Sequence, residues 1–529
     1  MSTQSVTQPL EPTLESACRR WPDRPAITFR DITLSYGELW DKVTRLARAY
    51  VELGVRPGDR IVCQLRNCPE HVIAINAAWA CGAIHVGTDN DLTGPELSWL
   101  AQHTQARVLV FQAPTRSDDR LAPVRAVQSA QPAITVVIHE ASGTDLGAQR
   151  LDDLMAEPVE RGQFHANHRD RDQTGLLLLT SGTTGRPKAV METLPACWAK
   201  MQFFADAFGP EADDVHLMYL PMAHVFGLRL SLLALLSGGR LVLLDQFSPN
   251  EALRLVTEER VTVLPGMPAH LTLLLGALDP ARHNVRTLRW AITAASKLPT
   301  NLAEQIYTKF GTEILYVYGC SENFTIQTTD RDEILAGSVG SLVFEGPEGE
   351  PPDGTARVVN PDDHSALTTG AVGEIAFGAR RPVHYWGAPD AATDGWYYTG
   401  DLGRIDPDGR VYVLGRLKEL VNRGGLKVAP SEIEAALIRH PQVADAAVVG
   451  TPDPVLGEAI CACVVAADGH PGLAQLREFL GHSLARHKLP DELIFVNEIP
   501  RTKIGKVDRS SLVASIVAAG GPAERLRAR

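Results

Sequence analysis

The sequence predicts an α/β protein. A large amino-terminal domain of two helix-covered sheets carries a small β-barrel, and a smaller α+β domain follows. Three observations predict this. Short apolar runs alternate with amphipathic ones through the first two-thirds of the chain, a Gly/Pro-rich texture with brief strands begins near Ser338, and a new strand–helix alternation starts after Arg416.

The apolar runs mark strands at Arg60–Leu65, Arg107–Gln112, Thr135–His139, Leu176–Thr180, Arg240–Asp245, Val261–Leu264, Leu288–Thr293 and Glu313–Val317. Amphipathic helices are expected between several of them, as at Pro249–Glu259 and Asn301–Phe310. Strands separated by helices lie parallel, because the crossover needs a helix's length of chain. From 338 to 416 helical periodicity fades, which suits the barrel. Ser431 and Glu434 have capping-box spacing and predict a helix at Ile433–His440. Strands at Ala444–Val449 and Ala459–Ala466, a helix at Leu473–Ala485 and a strand at Leu493–Val496 complete the small domain, and the last ten residues read as a frayed tail. The boundaries are therefore 1–416 for the large domain, with its barrel at about 338–416, and 419–529 for the small one.

At 529 residues the chain exceeds what one core supports. Its formal net charge of −12 excludes a broad nucleic-acid footprint but leaves room for a local phosphate pocket. The start, MSTQSVTQPLEPT, lacks the basic and apolar regions of a signal peptide, and no run is long enough to span a bilayer, so a cytoplasmic protein is expected. The eight cysteines have no zinc-ligand or disulfide pattern and read as reduced core thiols. Whether the chain is a monomer or a homodimer is open.

The segment Leu176 to Lys188 runs from an apolar strand into a loop with two glycines, three hydroxyls and a lysine. Glycine lets backbone amides approach an anion, hydroxyls add donors, and Lys188 adds charge, so the loop suits a polyphosphate. It is not a Walker loop, because Pro187 precedes the lysine and Ala189 follows it. Four further segments follow in order: Tyr318-Gly-Cys-Ser-Glu322, Trp396-Tyr-Tyr-Thr-Gly-Asp401, Gly415 to Gly425, and Pro500-Arg-Thr-Lys-Ile-Gly-Lys506.

With all five in register, the chain resembles the adenylate-forming superfamily of acyl- and aryl-CoA synthetases, peptide-synthetase adenylation domains and beetle luciferases, and is most similar to the acyl- and aryl-CoA ligases. The resemblance implies roles residue by residue. Thr180, Ser181, Gly182, Thr183, Thr184, Gly185 and Lys188 would line the loop over the β- and γ-phosphates of ATP. Ala294, Ala295, Ser296, Tyr316, Tyr318 and Gly319 would flank the nucleotide, with Tyr318 on the adenine, and Ser321 would meet the α-phosphate. Glu322 would hold Mg²⁺, Asp401 and Arg416 would take the ribose, and Lys506 would bridge the acid, the α-phosphate and the ribose. Lys418 would be the hinge of the mobile domain, and Gly424 and Gly425 would line the tunnel of coenzyme A.

The implied reaction joins a small-molecule carboxylic acid to AMP and then to the CoA thiol. The alternative acceptor is the phosphopantetheine of an acyl carrier protein. His224, Phe226, Gly266, Met267, Ile292, Ala294 and Gly319 would border the acid, with His224 counted among the catalytic groups. No Asp near Phe226 meets a substrate ammonium, and Val225 replaces the Asn of dihydroxybenzoate-activating relatives, so an amino acid or catechol acid is disfavoured. Small residues in Ala291–Lys297 leave room for an aromatic, polycyclic or medium-chain acid.

Overall fold

The computed structural model describes residues 10–90, 92–112, 121–140, 147–156, 173–180, 187–322, 325–341, 355–378, 384–388, 395–502, 506–518 and 524–525. Two large sheets form the body. One has seven strands in the order Gln149–Arg150, Thr135–His139, Ala106–Gln112, Arg60–Gln64, Ile84–Gly87, Thr174–Thr180 and Lys188–Thr193. All neighbours are parallel except the last pair, where Lys188–Thr193 turns back beside Thr174–Thr180.

The second sheet orders eight strands as Thr325–Thr328, Glu313–Gly319, Trp290–Thr293, Val263–Pro265, Val215–Met218, Arg240–Leu243, Pro25–Phe29 and Ile32–Ser35. It is parallel through its middle and antiparallel at both edges. The eight expected strands all form, with ends displaced by a residue or two, because strands covered on both faces read as continuous apolar runs. The helix expected at Asn301–Phe310 is divided into an α segment, Thr300–Gln305, and a π turn, Ile306–Phe310.

Helices Pro69–Ala80 and Val225–Leu236 are apolar nearly all round, and both are buried on most faces in the core of the body. No helix among the described residues is long and apolar enough to cross a membrane. All eight cysteines are free and seven are buried.

After the body, strands Ala356–Val359, Gly373–Gly378, Trp396–Ile405 and Val411–Arg416 form an antiparallel sheet in sequence order. Among the described residues no pairing joins its two edge strands, so the segment expected to be a barrel is a four-stranded sheet there. The turn Leu417–Glu419 then leads into the second α+β unit. Its long hairpin, Val443–Asp453 with Gly457–Ala466, is flanked by Val421–Arg423 and Glu492–Phe495.

Two expectations for this unit are corrected. The helix is Pro430–Leu437, capped by Ala429, so Ser431 and Glu434 do not form a capping box. Proline at the first helical position pre-sets the backbone and takes over the start. Ser431 Oγ instead donates to the Leu414 carbonyl, and Glu434 accepts the Val448 amide at 2.8 Å and pairs with Arg509 at 2.9 Å. The tail is not wholly frayed either, since Glu524 and Arg525 pair with Leu493 and Glu492.

One charged group is sealed inside the body. Glu192 and Arg229 are 3% and 4% exposed and meet at 2.8 Å, and Lys200 pairs with the same carboxylate oxygen. Burial alone would neutralise Glu192, but the two cations more than offset it and hold its carboxyl below the usual range. Glu192→Ala leaves two buried cations facing each other, and a loss of about 3–5 kcal/mol is expected in urea unfolding of the body. An unchanged unfolding midpoint would contradict this.

Candidate functional site

In open sheets with parallel strands, ligands bind beyond the carboxyl ends of the strands. Four such ends in the eight-stranded sheet present Tyr219, Gly266, Ala294 and the Tyr318–Gly319 pair. After Ala294, Ala295 adopts φ 73°, a left-handed conformation uncommon for a side-chain-bearing residue, at which strain is stored. Tyr316 is buried and its hydroxyl accepts the Leu298 amide at 3.0 Å, which ties down the loop carrying Ala295 and Ser296.

The centre of the site is Asp401, 7% exposed. The sequence suggested a turn before it, but Asp401 lies within strand Trp396–Ile405, at a register irregularity where Gly400 takes φ 71° and donates its amide to Glu374 Oε1 at 2.8 Å. Thr399 Oγ1 accepts the Asp401 amide at 2.9 Å and donates to the Ile375 carbonyl at 2.8 Å, which fixes the irregularity against the neighbouring strand. Tyr318 donates its hydroxyl to Asp401 Oδ2 at 2.7 Å, and Arg416 Nε lies 3.1 Å from Oδ1. Asp401 and Arg416 face each other across adjacent strands, so backbone register alone brings them together. Burial drives the Asp401 carboxyl upward, opposed by Arg416, by the Tyr318 hydroxyl and by Lys506.

Lys506 thus reaches the same centre from the second α+β unit. Burial lowers its ammonium below the ordinary lysine value, Arg416 and Lys418 add to that, and Asp401 and Glu419 oppose it. Its backbone is held by Thr502, whose amide donates to the Lys506 carbonyl at 2.7 Å and whose hydroxyl accepts the Lys506 amide at 3.2 Å. Arg509 secures this placement, with Glu434 at 2.9 Å and Glu419, in the turn after Arg416, at 3.4 Å.

A second cluster surrounds Glu322. Tyr385 donates to Glu322 Oε1 at 3.2 Å, and the Lys188 ammonium lies 4.8 Å from the centre of the same tyrosine ring. Tyr385 therefore touches both the carboxylate expected to hold the metal and the lysine expected to meet the phosphates. The Tyr385, Tyr397 and Cys320 hydroxyls and thiol are all pushed up, first by burial and then by neighbouring acids that include Glu322. Ser321 lies beside Glu322, half-buried. Tyr385 escaped sequence reasoning because it lies in a short run without periodicity, whose backbone meets strand Lys188–Thr193 at an isolated bridge to Val190.

His224 caps helix Val225–Leu236, and its Nε2 lies 3.1 Å from Asp89 Oδ1. That distance suits an ion pair, yet the approach is too oblique for a hydrogen bond. Asp89 was another omission, and its position just past the end of strand Ile84–Gly87 is the signal that could have found it. Phe226 is half-buried against the core, and Met267 and Ile292 are buried. Gly424 and Gly425 form the two-residue turn of a hairpin with φ 59° and 85°, and Lys418 lies in the turn after Arg416. Thr180 ends its strand opposite Lys188, whereas Ser181, Gly182, Thr183, Thr184 and Gly185 lie outside the described residues.

Family models for the AMP-binding enzyme and for the AMP-binding enzyme C-terminal domain match residues 14–381 and 432–506. The chain belongs to the AMP-binding enzyme family. It is 33% identical to a 2-hydroxy-7-methoxy-5-methyl-1-naphthoate–CoA ligase of Streptomyces carzinostaticus, over 95% of this chain and 92% of that one. It is 30% identical to a long-chain-fatty-acid–CoA ligase of Mycobacterium tuberculosis, over 91% and 93%. Among solved structures it is similar to ATP-bound MatB from Rhodopseudomonas palustris, with a TM-score of 0.81, 29% identity and coverage of 96% and 99%.

A hydrogen bond to a charged group is worth about 1.5–3 kcal/mol, so Tyr385→Phe is expected to slow acid-dependent ATP–pyrophosphate exchange roughly 10- to 100-fold. Tyr385→Ala, which also removes the ring under Lys188, is expected to do more. Exchange at the wild-type rate in both variants would remove Tyr385 from the site.

Proposed function

We propose that this AMP-binding enzyme is an AMP-forming acid–CoA ligase working in two half-reactions. In the first, an acid's carboxylate oxygen attacks the α-phosphorus of ATP, forming acyl-AMP and releasing pyrophosphate. In the second, the CoA thiol attacks the acyl carbonyl, and AMP leaves with the electrons of the acyl–phosphate bond. The observation that carries this reading is the arrival of Lys506 at the Asp401–Arg416 centre from a separate structural unit.

The first step brings two anions together, so the site must neutralise charge building on the α-phosphate and on the leaving pyrophosphate. A partly desolvated lysine does so strongly where the dielectric is low. The Asp401 carboxylate suits the ribose hydroxyls, and the Tyr318 ring beside it offers the adenine a flat face. Thr180 and Lys188, with the loop 181–185 between them, supply phosphate contacts. The Glu322 carboxylate, half-buried with the Tyr385 hydroxyl on one oxygen, is a hard donor that fits Mg²⁺. When bound, the ion would neutralise charge on the phosphate oxygens.

Residues 1–416 and 419–529 are read as the two domains, with Lys418 as the hinge in the turn Leu417–Glu419. Rotation there would withdraw Lys506 and bring the glycine hairpin, Gly424–Gly425, to the thiol's path. His224, Phe226, Gly266, Met267 and Ile292 are read as the acid's surroundings.

Losing a preorganised donor of this kind costs about 10²–10³ in rate. Lys506→Ala is therefore expected to lose pyrophosphate exchange by at least that factor and to convert supplied acyl-AMP to thioester at close to the wild-type rate. Lys418→Pro should show the reverse. Normal exchange by Lys506→Ala would overturn the reading, and thioester formed only on carrier-bound phosphopantetheine would reassign the acceptor.

A further inference from the structure

Three aromatic side chains, Tyr219 buried and Phe247 and His270 half-buried, meet at one end of the region read as the acid's surroundings. Tyr219, the first residue past strand Val215–Met218, has its ring centre 4.7 Å from Phe247 and 5.3 Å from His270, and Phe247 and His270 lie 4.5 Å apart. His270 lies in the first turn of helix Pro268–Ala277, which follows Gly266 and Met267. The Tyr219 hydroxyl lies against Gly266. A Cβ there would be 2.6 Å from that oxygen, so any larger residue would push it away.

Tyr219 is 4% exposed, and among the described residues its buried hydroxyl has no hydrogen-bond partner; the same is true of His270 Nδ1. Leaving such a group unpaired costs its full desolvation. Two orphans side by side, at the carboxyl end of parallel strands, call for an explanation outside the packing. Van der Waals filling does not supply one, since Phe and Leu would fill the same space without the penalty.

We propose that Tyr219 and His270 form a polar subsite within the acyl pocket that takes a neutral oxygen function of the acid, a hydroxyl or a ketone. The proposal rests on the acid-activating reading above and narrows its substrate class. Burial pushes the His270 imidazole down to about 4, so near neutrality it is uncharged. The Tyr219 phenol is driven far above its ordinary value and keeps its proton. Two neutral groups offer a donor and an acceptor but no counter-charge, so a second carboxylate or an ammonium on the acid is disfavoured. A site that presents buried hydrogen-bonding groups rejects the analogue that cannot satisfy them, whereas a purely apolar wall barely distinguishes the two.

The test uses matched acids: 1-naphthoic acid and its ring-hydroxylated forms, 3-phenylpropanoic acid and its ring-hydroxylated forms, and decanoic acid with 10-hydroxydecanoic and oxodecanoic acids. Pyrophosphate release is measured for the wild type, Tyr219→Phe and His270→Leu. The wild type is expected to favour the oxygenated member of at least one set tenfold or more in kcat/KM. Tyr219→Phe should erase that preference, mainly by raising the KM of the oxygenated acid relative to that of the plain one. The apo Tm of Tyr219→Phe should be unchanged or raised, because the hydroxyl it removes has no partner to lose.

A wild-type preference for the plain acid in every set would overturn the proposal. So would a preference that survives Tyr219→Phe, or a fall of several degrees in its Tm, which would reveal an internal partner. Absence of pyrophosphate release with any acid is a separate failure, and it would strike the acid-activating reading itself.

Discussion

The site is organised around one buried carboxylate. Asp401 would be costly to keep ionised if burial were its only influence. It is held by three partners from three places: Tyr318 at a strand end of the eight-stranded sheet, Arg416 across the small sheet, and Lys506 from the second α+β unit. Each supplies something different. The phenol gives a short neutral bond, the guanidinium gives fixed charge by strand register, and the lysine adds positive charge from the second unit.

That division explains why a two-part chain is needed. A lysine permanently buried beside Arg416 would be held in an unfavourable field, since both burial and Arg416 work against its charge. On an α-phosphate the same charge is favourable. In the proposed two-step reaction, a unit tethered by the short turn after Arg416 would bring the lysine in for one step and remove it for the next.

Much of this was legible in the sequence, for physical reasons. Parallel strands covered on both faces are continuous apolar runs, so the eight strands named from the sequence form with only their ends displaced, while short strands such as Ile84–Gly87 and Val215–Met218 and the antiparallel edge strands were not named. Motif residues on the strands, such as Tyr318, Asp401 and Arg416, kept their order and converge in space. Local rules failed where tertiary partners outbid them. Ser431 and Glu434 had the spacing of a cap, yet Leu414, Val448 and Arg509 claim their side chains. Asp89, Tyr219 and Tyr385 carry no motif, and what matters about them is a neighbour more than a hundred residues away or a bond left unmade. No spacing rule reports either.

The central claim is that Lys506 and Asp401 serve one nucleotide from two sides. A crystal structure with magnesium and a non-hydrolysable ATP analogue tests it most directly. The account predicts the ribose hydroxyls on Asp401, the adenine against Tyr318 and the Lys506 ammonium within hydrogen-bond distance of the α-phosphate. A nucleotide bound away from Tyr318 and Asp401 would contradict it.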